Sequence, residues 1–561
     1  MQKIKPYIPY IIFGLCAMFL ILRAFFGFCS SDEPFYLSTT KRLFDGDLIF
    51  AEEWFPTQLS SLIILPLYAL FVTVTGGTDG IILFFRIVYI LTVFVISCAS
   101  YRILNKRNGS AAAFCCAFFM LNFVHLNIAT LSYYTMSFEF FIFSMLLLMP
   151  KKRSLYILSG FIFALSVLSL PSLAIAYAVA FITVFCLSFK FRFLREGLIY
   201  TTFGIGAALI LFLIYLYASG NSIGNLFEFL PYVLSDDEHQ TSLVAPFKKF
   251  FTSISDVYGK VFYLSFVLAF LGLLSNRFKK LVPYIFAADC LLFIWYGSLS
   301  LGHTGYMNTA LALFAGPLFF MCAGKDLFSF ISLFIGGLIF SMTYSYSSNG
   351  ELYVLSIGHS IACVASILFI FDFIRCTGDD PSAGIVKKLI PPILIFIISL
   401  FLLHTAVLRF INVYRDAPLT GLTVCLTEGP AAGLYTTDEH SKVYTSVLSD
   451  IKKYSKDEGY VLFSKLLPWG YLACDMRCAA PSTWRNMINS KRLEEFYSLY
   501  PDRKPDTVFV LDADVGSYDT CGDIEADPVP NENEWGGILG MSLESEEYKR
   551  IPCDHLTVYM R

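Results

Sequence analysis

The residues best placed to do chemistry come early: Ser30-Ser31-Asp32-Glu33-Pro34-Phe35-Tyr36 follows directly on the first apolar run. Two carboxylates where a helix leaves an apolar layer offer a proton acceptor and a second acid, as activation of a hydroxyl by a general base requires. Helical geometry sets neighbouring residues about 100° apart, so the pair is not expected to act on one proton. The same stretch also reads as a helix start. Ser30 to Glu33 has capping-box spacing, Pro34 falls in the first turn, and Phe35, Tyr36, Thr39, Thr40, Leu43 and Phe44 form an amphipathic stripe. On that reading the acids only begin an interfacial helix.

Two other acidic groups compete. Asp236-Asp237-Glu238-His239 could hold a hard cation or form a solvated turn. Asp512-Ala513-Asp514 follows an apolar strand and has the Asp-X-Asp form that holds a metal in nucleotide-sugar transferases, or it is a turn. No Gly-rich phosphate loop or zinc-like cysteine and histidine spacing occurs, and a net charge of -3 gives no reason to expect nucleic acid.

With 56% hydrophobic and only 15% charged residues, the chain reads as a polytopic α-helical membrane protein. Apolar runs near 7–27, 80–103, 110–128, 135–149, 154–169, 171–189, 198–217, 258–275, 281–299, 306–322, 327–343, 353–373 and 389–412 give about thirteen transmembrane helices. Threading them so that lysines and arginines collect on one side leaves eighteen inside and six outside, with a cytoplasmic N-terminus. Two segments are decided by parity. Gln58 to Thr75 is expected to lie in or re-enter the outer leaflet, and Ser154 to Phe189 to cross twice around Pro171. Residues 1–412 then form the membrane domain, with a first outer loop at 28–79. Residues 413–561 become richer in charge. Strands are expected at Val461-Leu462-Phe463, Thr507 to Leu511 and Leu556 to Tyr559, and helices at Val443 to Tyr454 and Lys491 to Tyr500, which makes a small extracytoplasmic α/β domain. Its cysteines, Cys425, Cys474, Cys478, Cys521 and Cys553, could form disulfides there; five is odd, so at least one is expected to stay free or to pair elsewhere, Cys29 being one partner open to it.

In order, the first span, Asp32-Glu33, a short helix with an aromatic, Gly46-Asp47, Pro56, Leu65-Pro66-Leu67-Tyr68 and Arg86 resemble the first outer loop of the GT-C membrane glycosyltransferases, in particular the protein O-mannosyltransferases and the lipid A aminoarabinose transferase. The resemblance implies transfer of a sugar from a polyprenyl-phosphate carrier to a protein, lipid or glycan hydroxyl at the outer face of the cell membrane. It implies Asp32 as base, Glu33 as a second carboxylate that orients the acceptor or binds a divalent metal ion, and Arg86, Lys41 and Arg42 as partners of the donor phosphate. His303 and Tyr306-Met307, ahead of Gly316-Pro317, are similar to the family's Arg-Tyr-leucine-proline segment, with His303 in the arginine's place. The second outer loop departs from the family. It carries no acid before Glu139, so that Tyr133, Tyr134 or His125 would bind substrate, Tyr36 beside them, or Glu139 would serve from within its span, or the acceptor chemistry would differ. For Lys41 and Arg42 the competing reading is a solvated helix face, and for the tyrosines an interfacial belt. Two other functions share the architecture: a surface-glycan ligase or polymerase, and a flippase or transporter without catalysis. The last should show paired half-sequences, and no internal repeat is evident.

Overall fold

A computed structural model describes residues 5–190, 192–235, 245–322, 324–346, 350–378, 385–464, 467–484, 488–511 and 547–561. The chain is mostly helical, and every apolar run named above carries a helix. Among the described residues eight helices are long and apolar enough to cross a membrane, from Gln58–Thr75 and Ile81–Asn108 to Leu352–Thr377 and Lys388–Ile411; shorter apolar helices include Ile8–Ala24 and Tyr133–Leu148. Gln58–Thr75, expected along the outer leaflet, thus has the length and hydropathy of a crossing helix. Leu352–Gly378 is the central pillar: nearly all of its apolar stretch is buried, whereas Leu194–Ala218 lies mostly open to its surroundings. Small residues let other helices meet closely. A Cβ at Gly204 would stand 1.9 Å from the Ile157 carbonyl oxygen, and one at Gly160 would stand 2.0 Å from that of Thr201.

The site is framed by α1 (Ile8–Ala24), α2 (Asp32–Phe44), α3 (Ser61–Thr75) and α4 (Ile81–Asn108). The amphipathic stripe expected of α2 is not what forms, because every residue from Asp32 to Leu43 is buried. The C-terminal region covers the face that sequence periodicity would leave to solvent. The capping box is also absent: Ser31 is the N-cap and makes no side-chain cap hydrogen bond.

That region holds a hairpin of β1 (Val424–Cys425) and β2 (Tyr435–Thr436) and a five-stranded sheet ordered β4-β3-β5-β7-β6. Here β3 is Tyr460–Phe463, β4 Arg477–Cys478, β5 Thr507–Leu511, β6 Lys549–Pro552 and β7 Leu556–Met560. β4, β3 and β5 run parallel, and β7 pairs antiparallel with β5 and β6, as expected of an α/β unit. Asp438–Tyr454 and Ser490–Leu499 are its helices, the first starting earlier than its periodicity indicates because Thr437 caps it. None of the described cysteines of this region is in a disulfide, with Cys29 or with one another.

The sheet region is sewn to the helical part by the backbone. Tyr435 N–H donates to Phe25 O and Gly27 N–H to Tyr435 O, Gly80 N–H donates to Gly429 O, and Trp54 N–H to Pro481 O. Both parts share one continuous apolar core.

Candidate functional site

Asp32 and Glu33 are both buried but differ in company. Glu33 takes a bidentate pair from Arg86, with Nε donating to Oε1 at 3.0 Å and Nη2 to Oε2; Arg86 Nη1 donates to Ala24 O at 2.8 Å. Both Glu33 oxygens therefore accept from Arg86. Asp32 uses one oxygen only. Tyr414 Oη donates to Oδ2 at 2.6 Å, and Arg415 Nη1 lies 3.3 Å from the same atom while donating to Ser31 Oγ at 2.7 Å. Among the described residues nothing donates to Asp32 Oδ1. Burial, then the Asp32 charge, pushes the Tyr414 phenol well above its ordinary value, so it stays protonated as the donor. Asp416 fixes this linker: Oδ2 accepts from Phe28 N–H at 2.7 Å and from Thr436 Oγ1 at 2.8 Å.

Beside the pair lies a cavity lined by Arg23, Glu33, Arg86, Asn127, Arg409 and Tyr414, among others. Arg23 donates only to backbone carbonyls: Nε to Phe410 O (2.7 Å), Nη1 to Phe26 O (2.8 Å) and Nη2 to Asn412 O (2.7 Å). Arg409 Nη1 donates to Asn127 Oδ1 at 2.5 Å. Neither Arg23 nor Arg409 was among the expected site residues, and neither were Tyr414 and Arg415. A signal for the two arginines existed: each sits in an apolar helix, where a lone guanidinium is costly. Tyr414 and Arg415 carry no such signal.

Lys41 and Arg42 are neither solvated nor turned to this cavity. Lys41 Nζ pairs with Asp45 Oδ2 at 2.6 Å. Arg42 pairs through Nε with Asp47 Oδ2 and through Nη1 with Glu53 Oε2, each at 2.8 Å. Asp47 Oδ1 also receives Arg477 Nη2 at 2.8 Å and Arg503 Nη1 at 3.0 Å. Burial would raise the Asp47 carboxyl, but Arg42, Arg503 and Arg477 hold it below the usual carboxylate range. Lys41 and Arg42 thus pair within the first loop rather than at this cavity, and Asp47, which Arg42 holds, joins that loop to the sheet region through Arg477 and Arg503.

The expected aromatic residues do come together. Tyr36 packs on Tyr133 (ring centroids 5.6 Å apart), Tyr133 on Tyr134 (4.0 Å), and His125 on Tyr134 (5.4 Å), with Tyr344 closing the group at 5.8 Å from Tyr134. Tyr36 Oη and His125 Nε2 are buried without a hydrogen-bond partner. His303 is not part of this group; it is exposed and packs on Tyr306 at 4.7 Å. Glu139 is buried with both oxygens unpartnered. Among the described residues no three His, Cys, Asp or Glu side chains gather to hold a metal ion. Asp236-Asp237-Glu238-His239, Asp512-Ala513-Asp514 and Cys521 lie outside the described residues. No protein-family model matches this chain, and no curated protein matches it.

Proposed function

We propose that this protein is a membrane glycosyltransferase that moves a sugar from a polyprenyl-phosphate carrier to an acceptor hydroxyl at the outer face of the cell membrane. The observation that carries the reading is the state of Asp32: Oδ2 is clamped by Tyr414 and Arg415, and Oδ1 is left to accept a proton. The acceptor oxygen bonds to the anomeric carbon, and its proton passes to Asp32 Oδ1. The bond from that carbon to the phosphate oxygen breaks, and its electron pair leaves with the lipid phosphate. Glu33 acts through Arg86, and the tyrosines around Tyr133 supply apolar ring faces of the kind that pack on sugars. The N-terminus is cytoplasmic and the sheet region extracytoplasmic in this reading.

Asp32→Asn keeps the size and removes the proton acceptor. Transfer from a polyprenyl-phosphate sugar is expected to fall by about 10² or more, the scale of a lost general base, with protein amount near normal. A purified Asp32→Asn protein that transfers at the parent rate rejects the assignment. A parent that binds the carrier and never cleaves it is a flippase or transporter instead.

A further inference from the structure

We propose that the cavity between Arg23, Arg86 and Arg409 is a subsite for a doubly charged phosphate group on an apolar tail. This rests on the transfer reading and deepens it: the sugar donor is a phosphodiester with one charge, transfer leaves the lipid a monoester dianion, and the subsite holds that departing phosphate through two arginines at the ends of the first and last apolar helices. The three guanidiniums face one carboxylate, Glu33, which leaves two positive charges in a buried place. The partners of Arg23 and Arg409 are neutral, namely the carbonyls of Phe410, Phe26 and Asn412 and the side-chain amide of Asn127. Carbonyl oxygens satisfy the donors but not the charge, and unbalanced charge in a low-dielectric setting is costly. A guanidinium's planar fork matches phosphate oxygens, and a phosphate monoester dianion balances the excess where a carboxylate would leave half of it.

The cavity is small, about 20 Å³, so a phosphate enters it as the lining guanidiniums shift outward, and its position is what favours the ligand. Tyr414 lines the cavity and hydrogen-bonds Asp32, so a phosphate held there lies one tyrosine away from the free carboxylate oxygen. On α1, the helix that carries Arg23, Leu15, Phe19 and Leu22 are exposed and apolar, a face along which a lipid tail can run. A free phosphate would share the charge chemistry and make no use of that face.

The test is binding to the purified full-length protein in detergent, with farnesyl phosphate, inorganic phosphate and farnesol as probes. Farnesyl phosphate is expected to bind, farnesol not, and inorganic phosphate more weakly. Arg23→Gln and Arg409→Gln should each weaken farnesyl phosphate at least about tenfold, the scale of one lost charge-assisted contact. Because a buried arginine variant can fail to fold, Asn127→Asp is the second probe. It places a carboxylate against Arg409 without removing a cation, so it should also weaken farnesyl phosphate while the melting temperature holds or rises. Asn127 already sits at a positive φ that Asp also tolerates. Asp32→Asn should bind like the parent, so loss of the transfer assignment and loss of this subsite are read separately. Parent-like binding by Asn127→Asp and Arg409→Gln, or no binding of either phosphate by the parent, overturns the proposal. Equal affinity for inorganic and farnesyl phosphate keeps the anion site and rejects the lipid tail.

Discussion

Asp47 is where the first loop and the sheet region are most firmly joined, and Asp47→Asn measures that joint. Arg42 and Arg503, both buried, contact its two oxygens at 2.8 and 3.0 Å, while Arg477, with its side chain 38% exposed, is screened and counts for little. Removing the charge leaves two buried guanidiniums facing a neutral amide, with only Glu52 and Glu53 to balance them. Breaking a buried pair in this way costs about 3–5 kcal/mol. The exposed Lys442–Asp438 pair supplies the control, and Asp438→Asn should cost far less. Pulse proteolysis of the sheet region at rising urea reports both. The sign of the pH dependence follows from the lowered Asp47 pKa. Its contribution is complete above the ordinary carboxylate value near 3.8 and is lost as pH falls through the lower folded value. The gap between parent and Asp47→Asn should therefore be constant from pH 7 to about pH 5 and shrink below pH 4. Equal costs for Asp47→Asn and Asp438→Asn, or a gap that widens in acid, would refute the reasoning.

Tyr414→Phe removes the 2.6 Å bond to Asp32 and should lower transfer about tenfold or more with little change in protein amount; a parent-like rate would mean the clamp is idle. Gly204→Ala forces a methyl group into the Ile157 carbonyl, and its yield of folded protein in detergent should drop sharply, whereas Gly206→Ala, where a Cβ meets nothing within 4 Å, should be tolerated. For topology, single cysteines near Asp45 and Gly433 should react with an impermeant thiol reagent in intact cells and one near Asn105 should not; the reverse pattern would mean that the site faces inward, and labelling at both Asp45 and Asn105 that Gln58–Thr75 crosses.

Periodicity and hydropathy made the helices legible, and β-branched runs marked the core strands: β5 falls at Thr507–Leu511 as expected, and β7 is longer by one residue. Asp32 and Glu33 were legible as a pair of acids in a special place. Their different partners were not, because Arg86 reaches Glu33 across 53 positions and Tyr414 reaches Asp32 across 382. That Lys41 and Arg42 are buried rather than on a solvated face was not legible for a related reason. A helix's own pattern shows which face is polar, but not that a domain encoded nearly 400 residues later will cover it.

The clamp on Asp32 has a consequence for how the protein is made. The linker Tyr414-Arg415-Asp416 follows the Ile385–Ile411 helix, so the carboxylate stands in the membrane without its partners until that helix has emerged from the ribosome and been inserted. Asp416 then pins the linker to Phe28 N–H and to Thr436, which belongs to the sheet region. A chain cut short during synthesis would carry the acidic pair and yet lack a formed centre, so maturation of the site reports completion of the polypeptide.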